Sequence, residues 1–306
     1  MSAALFTHAA MVRHSNSARH PEKPERLGAV LDALDDAGLG KNRFEAPKVS
    51  RAALQRVHPD LYIDHVLKSE PAEGRIKLDP DTGMAPGSAE AALRAAGAGV
   101  AAVEALARGA FDRAFCAVRP PGHHAEPEQA MGFCLFSNIA ITARAAQAAG
   151  FARIGVIDFD VHHGNGTQAV FENDPTVFFG SIHQSPLYPN TGAESETGLG
   201  NIVNATVAPG APREAWRKAF EGRLVSALDA FAPDLVLISA GFDAHRADPL
   251  SEQALEESDF SWATRAVIAV ARLRCKGRVV SSLEGGYDLG ALGRSAAAHM
   301  AALSEG

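Results

Sequence analysis

From Ser88 onward the chain alternates Ala-rich helical segments with short apolar runs: AFCAVR (114–119), ARIGVIDFD (152–160), TVFFGSI (176–182), DLVLISAG (234–241) and GRVVSSLEG (277–285). Runs this continuously apolar fit strands buried on both faces, and helices between such strands build βαβ units. The pattern predicts an α/β fold with a parallel sheet covered by helices on both sides. Upstream, HPEKPERLGAVLDALDDAG reads as an amphipathic helix entered through Pro24, with Leu27, Val30, Leu31 and Leu34 on one face and Gly38 as the stop. Residues 40–87 are rich in Pro, Gly and charge and read as loops around one short helix near His58 to Leu67. The length of 306 residues allows one large domain or two ordinary ones. No linker or repeat divides the chain, so residues 1–306 read as a single domain.

The polar residues fall in one place on that skeleton. His123 and His124 follow the strand ending near Val118; Asp158, Asp160, His162 and His163 lie at or after the end of GVIDF, His183 after FFGSI, Asp243 and His245 after VLISAG, and Glu284 and Tyr287 after VVSSL. Each group lies just past the carboxyl end of a predicted strand, the edge where loops of an open parallel sheet converge on a ligand.

Asp160 and His162 stand two residues apart, so in extended backbone both point to the same side. Asp243 is the best third ligand, and two carboxylates with one imidazole and an open position make a catalytic site for Zn²⁺ or a similar divalent ion. Taken alone, Asp160 and His162 read equally well as a turn-capping pair. A second metal would lack carboxylates, because Gly164 follows His163 and His245 lies two residues after Asp243. Asp158 suits the role of holding a catalytic imidazole through its ring N–H. His123 and His124 follow a rigid Pro-Pro-Gly turn, and adjacent imidazoles with different partners can divide into a base for water and an acid for an amine leaving group. Gly285 and Gly286 permit a tight turn that brings the Tyr287 hydroxyl into the cleft, where it could donate to a carbonyl oxygen as charge develops.

Composition narrows the partners. A net charge of −7 supplies no field for phosphates, which argues against nucleic acid or an anionic membrane. No apolar run approaches a membrane span and the first residues lack a signal pattern, so the expected location is cytoplasmic. Three scattered cysteines, Cys116, Cys134 and Cys275, read as reduced thiols, which leaves His and carboxylates to hold any metal.

Six ordered motifs, RPPGHHA (119–125), GFCLFSNIA (132–140), DFDVHHGNGT (158–167), SIHQSPLYPNTG (181–192), ISAGFDAHRADPL (238–250) and LEGGYDL (283–289), resemble the histone deacetylase superfamily, closest to its class II and bacterial amidohydrolase-like members. HPEKPERL also resembles that branch. The resemblance implies the arginase/deacetylase fold, a mostly parallel sheet of about eight strands flanked by helices, and zinc-dependent amide hydrolysis. It places the metal on Asp160, His162 and Asp243, with one catalytic Zn²⁺ and Fe²⁺ as the alternative in vivo. It makes His123 and His124 the catalytic pair, Asp158 and Asn165 their respective partners, and Tyr287 the carbonyl polariser. The uncharged Asn165 should raise the pKa of His124 less than a carboxylate would. Gly132 and Phe133 match the tunnel wall for the acyl-lysine stem, faced by Tyr188 or its neighbour Leu187, with Gly286 beside the tyrosine. Asp81 is the candidate rim carboxylate, and Asp158, Asp160, His162, Ser181 and Ile182 match a site for K⁺ or Na⁺.

The resemblance also bears on substrate. Leu250 stands where a polyamine-selective relative has an acidic residue, which favours acyl-lysine in proteins or peptides over an acetylpolyamine. An acetylpolyamine or other small acetylated amine is the second expectation, and a non-catalytic acyl-lysine-binding relative the third. Oligomeric state is not legible.

Overall fold

The computed structural model describes residues 3–17 and 19–305. The chain begins with strand β1 (Ala4–Thr7), a 3₁₀ turn over Ala9–Arg13, helix α1 (Glu25–Asp36) and strand β2 (Arg43–Glu45). Helices α2 (Arg51–Leu54) and α3 (Asp60–Lys68) and the hairpin of β3 (Ile76–Asp79) and β4 (Thr82–Met84) follow. Then come α4 (Ser88–Ala107), β5 (Arg113–Cys116), α5 (Asn138–Ala148), β6 (Ile154–Asp158), α6 (Asn165–Phe171), β7 (Val177–Gln184) and β8 (Ile202–Val207). Helices α7 (Arg213–Ala219) and α8 (Ser226–Phe231), joined by a π-helical segment, lead to β9 (Leu235–Ala240), α9 (Glu257–Cys275), β10 (Val279–Leu283) and α10 (Leu289–Ser304).

Eight strands form one sheet in the order β2-β1-β5-β10-β9-β6-β7-β8, and every neighbouring pair is parallel. This is a single α/β domain with helices on both faces. The five runs recognised in the sequence become β5, β10, β9, β6 and β7, five strands contiguous in space. All residues of β6, β7, β9 and β10 are buried, the burial that an apolar run on both faces anticipates. The helix read at HPEKPERLG is α1, which buries Leu27, Val30 and Leu34 and packs on α10.

Residues 40–87 are more ordered than their composition implies. They hold two helices and three short strands rather than one helix among loops. The elements are three to nine residues long, and the three residues of β2 are all exposed, so neither hydrophobic period has room to register. Among the described residues no helix is long and apolar enough to cross a membrane.

Candidate active site

Strand β6 ends at Asp158, and the chain then bends instead of continuing as a strand. The extended-backbone argument for Asp160 and His162 therefore has the wrong geometry, although the two side chains do meet. Asp158 accepts a hydrogen bond from the Asp160 N–H at 3.1 Å, and Asp160 accepts one from the His162 N–H at 2.9 Å. Two successive carboxylate-closed turns thus fold these side chains inward. Capping the turn leaves the Asp160 carboxylate within reach of the His162 ring.

Asp243 arrives from the loop after β9 and receives the Val161 N–H at 2.9 Å. His162 Nδ1 lies 3.0 Å from Asp160 Oδ1 and 3.0 Å from Asp243 Oδ2. One ring N–H cannot serve two carboxylate oxygens well at once, and all three residues are buried. A divalent ion with bonds of about 2.0–2.2 Å holds tetrahedral ligands roughly 3.3 Å apart, so the spacing fits a shared cation better than a shared proton. Asp160, His162 and Asp243 also form the only cluster of three or more His, Cys, Asp or Glu ligands found among the described residues. Burial and the Asp160 charge push the Asp243 carboxyl up to about 7. Despite burial, charged His123 and His162 hold Asp160 below the ordinary carboxylate range. A cation at the cluster would relieve this crowding of buried like charges.

The tandem histidines are held apart electronically. His123 Nδ1 lies 2.9 Å from Asp158 Oδ2; burial works against its charge, but Asp160 and Asp158 raise it to about 10. His124 Nδ1 lies 2.7 Å from Asn165 Oδ1. The Asn165 amide N–H is committed to Glu126 Oε1 at 2.7 Å, so its oxygen must face the ring and accept. His124 therefore carries its proton on Nδ1 and keeps a lone pair on Nε2. Burial, followed by the charges on His123 and His162, drives His124 well below its ordinary pKa. The ring centroids of the pair are 4.0 Å apart.

Tyr287 sits past β10, with Gly286 at φ +119°, backbone that a side chain would strain. Arg26 of α1 stacks over the Tyr287 ring at 5.0 Å and donates to the Gly286 carbonyl at 2.6 Å. Asp248 accepts the Tyr287 N–H at 2.7 Å and the Leu250 N–H at 3.0 Å. Nothing in the local sequence around Arg26 or Asp248 marks these contacts, which span 260 and 39 residues. Arg26 lies on a helix far away in the chain, and no local pattern signals its long-range contacts.

A cavity of about 290 Å³ opens above the cluster, lined by Asp81, His124, Gly132, Phe133, His162, Leu187, Tyr188, Leu250 and Tyr287. Both candidates for the facing wall, Leu187 and Tyr188, line it. The Tyr188 ring packs against His124 at 5.2 Å, whereas Phe133 meets Tyr287 at 5.8 Å. Gly132 lies against the His124 ring, where any Cβ would overlap it. The Asp81 backbone carbonyl is tied to His20 Nε2 at 3.0 Å, and the His20 ring in turn meets Phe133 at 4.4 Å. Ser181 pairs in register with Asp158, so Ser181 and Ile182 lie on the strand beside the turn that carries Asp160 and His162. The Ser181 hydroxyl is 2.9 Å from His183 Nδ1. His163 and His183 face each other at 4.8 Å, bound to Thr191, Gln168 and Gly192, outside the cavity lining.

Residues 20–303 match the family model described as the histone deacetylase domain. A probable deacetylase of Archaeoglobus fulgidus is 36% identical over 297 residues, covering 94% of this chain and 82% of that protein. A histone deacetylase-like amidohydrolase of Pseudomonas aeruginosa is 39% identical over 280 residues, 89% of this chain and 73% of the relative. Among solved structures, the crystal structure of the HDA15 HD domain superposes with a TM-score of 0.92 at 36% identity, covering 98% of this chain and 90% of the other.

Proposed function

The chain belongs to the histone deacetylase family, and from that premise we propose that it is a zinc-dependent amidohydrolase removing acetyl groups from acyl-lysine side chains in proteins or peptides. The observation that carries the proposal is the buried convergence of Asp160, His162 and Asp243 on one point, beside a neutral imidazole and a tyrosine at the floor of a cavity. Asp160, His162 and Asp243 would hold Zn²⁺, with Fe²⁺ the alternative ion; when bound, it supplies Lewis acidity toward the amide carbonyl and the attacking water.

The chain's own groups divide the remaining work. His124 takes a proton from water on its Nε2 lone pair as the water oxygen bonds to the acyl carbon. His123, seated on Asp158 through Nδ1, presents Nε2 beside the cluster, 3.8 Å from Asp160, where it can hold the attacking water. The Tyr287 hydroxyl donates to the carbonyl oxygen as it gains charge. His124 then returns the proton to the amine nitrogen as the C–N bond breaks, giving acetate and a free amine. Gly132, Phe133, Tyr188 and Leu250 wall the stem of the substrate, and Asp81 stands at the mouth to orient its polar backbone. A K⁺ or Na⁺ ion near Asp158, Asp160, His162, Ser181 and Ile182 would further steady the ligand turn.

An apolar Leu250 at the mouth favours an uncharged lysine stem. Asp81, the one acidic residue in the lining, is the feature an acetylpolyamine would use instead. The test compares kcat/KM on acetyl-lysine peptides, acetylputrescine and acetylspermidine, with metal content measured on the same sample and a chelator control. Higher efficiency on the acetylpolyamines reverses the substrate order. Absence of turnover on every acyl substrate by zinc-loaded protein leaves only the non-catalytic, acyl-lysine-binding reading.

A further inference from the structure

Glu284 is a fully buried carboxylate that the reaction above does not use. It follows the last residue of β10, a strand lying between β5 and β9. Its neighbours on both sides are therefore set by the sheet. Toward β9, Glu284 Oε1 accepts from the Ser239 hydroxyl at 3.2 Å. Toward β5, Glu284 Oε2 accepts the Gly122 N–H at 2.6 Å and the His123 N–H at 3.1 Å.

The turn that carries the tandem histidines is held through its carbonyls and its rings, and its leading N–H groups need a partner of their own. Pro120 and Pro121 have no N–H, so Gly122 and His123 bear its first two free backbone donors. Both point at one carboxylate oxygen. Two N–H groups converging on one carboxyl oxygen form a backbone nest. On its opposite side the same segment is confined by packing, since a Cβ on Gly122 would overlap Asn138. The His123 carbonyl accepts from the Thr167 N–H at 3.1 Å, and the Asn138 amide holds the Pro120 carbonyl at 3.0 Å. Of these anchors, Glu284 alone takes the two N–H groups.

We propose that Glu284 is a positioning residue for the tandem histidines. It seats the backbone of Gly122 and His123 so that the His123 ring meets Asp158 and the His124 ring faces the cavity. Its effect is exerted through His123 and His124 and not through substrate contact, which makes the activity arm of the inference rest on the deacetylase reading. Displacing catalytic groups by about 1 Å can cost up to roughly a hundredfold in rate, so loss of the anchor is expected to appear in kcat and not in KM.

The test uses full-length, zinc-loaded enzyme with E284A, the volume-matched E284M and E284Q, each in the wild-type and H123A backgrounds. E284A and E284M are expected to lower kcat about tenfold or more with KM within about twofold, and E284Q, which keeps an acceptor oxygen, to recover most of the loss. In the H123A background the same substitutions should cost clearly less than in the wild type, because one of the two positioned rings is gone. Amide hydrogen exchange of segment 120–124, read without any substrate, should accelerate in E284A and E284M and stay slow in E284Q. Equal losses in both backgrounds, or unchanged exchange in E284A and E284M, would overturn the proposal. If E284A does not fold, E284M and E284Q decide by the same comparisons. If wild type turns over no acyl substrate, the functional reading fails while the exchange result still judges the anchor.

Discussion

Replacing Tyr287 by Phe removes a hydroxyl from the cavity and little else. The ring keeps its edge contact with Phe133 at 5.8 Å and its stack under Arg26, while the backbone N–H stays on Asp248 at 2.7 Å. Among the described residues no hydrogen bond is made by the hydroxyl itself. Stability should therefore shift by no more than about 0.5 kcal/mol, the range for substitutions that break no packing or buried bond. At roughly 2–4 °C per kcal/mol for a chain of about this size, the melting temperature should move by about 2 °C at most. Catalysis should respond very differently. Loss of one preorganised oxyanion donor costs about 2.7–4 kcal/mol of transition-state stabilisation, or 10²–10³ in kcat. KM should stay within a few fold, because the donor acts on charge that develops only during the reaction. The assay is steady-state hydrolysis of an acetyl-lysine peptide at saturating zinc, with a melting curve on the same preparation. A kcat within fivefold of wild type, or a loss confined to KM, would refute the role given to Tyr287.

Gly285→Ala should damage metal binding more than folding, since its Cβ would overlap Asp243 and Asp160 oxygens; zinc retained after dialysis should drop at least about tenfold. Glu22→Gln should destabilise the protein by about 3–5 kcal/mol at pH 7, because buried Arg119 and Arg26 lose their shared carboxylate. Although burial opposes its charge, Arg119 and His14 lower the Glu22 pKa well below 4.5, so its contribution is full above that pH and is lost as pH falls toward the folded value. Denaturant midpoints of wild type and Glu22→Gln should thus stay separated from pH 7 to 5 and converge below pH 4.5. Leu250→Glu places a carboxylate in the cavity lining and should raise the ratio of kcat/KM for acetylputrescine over acetyl-lysine peptide about tenfold; an unchanged ratio would mean that Leu250 does not face the distal end of the substrate.

The strands that were legible in the sequence are those at the middle of the sheet. β5, β10, β9, β6 and β7 are apolar runs because both faces are covered, and the same five deliver the candidate site. The main-sheet strands not recognised, β1, β2 and β8, lie toward its two margins, and the unrecognised β3 and β4 form a separate hairpin. β1 is four residues long, β2 is three and fully exposed, and β8 mixes two half-buried positions with four buried ones after a long loop. Short or half-wet strands carry too few residues for their period to stand out.

What the sequence determined by itself was periodicity and order along the chain: which segments are buried strands, and that His, Asp and Tyr residues follow them at one edge. Those properties are local, set within a few residues by backbone geometry. Only the tertiary structure decided which of those side chains meet. β10 follows β9 in the chain but lies between β9 and β5, which brings Glu284 against the tandem-histidine turn across 161 residues. Arg26 reaches Gly286 across 260 residues, and His163 and His183 turn toward each other outside the cavity lining. Such neighbours depend on strand order, which hydrophobic spacing does not encode because any order of buried parallel strands satisfies the same pattern.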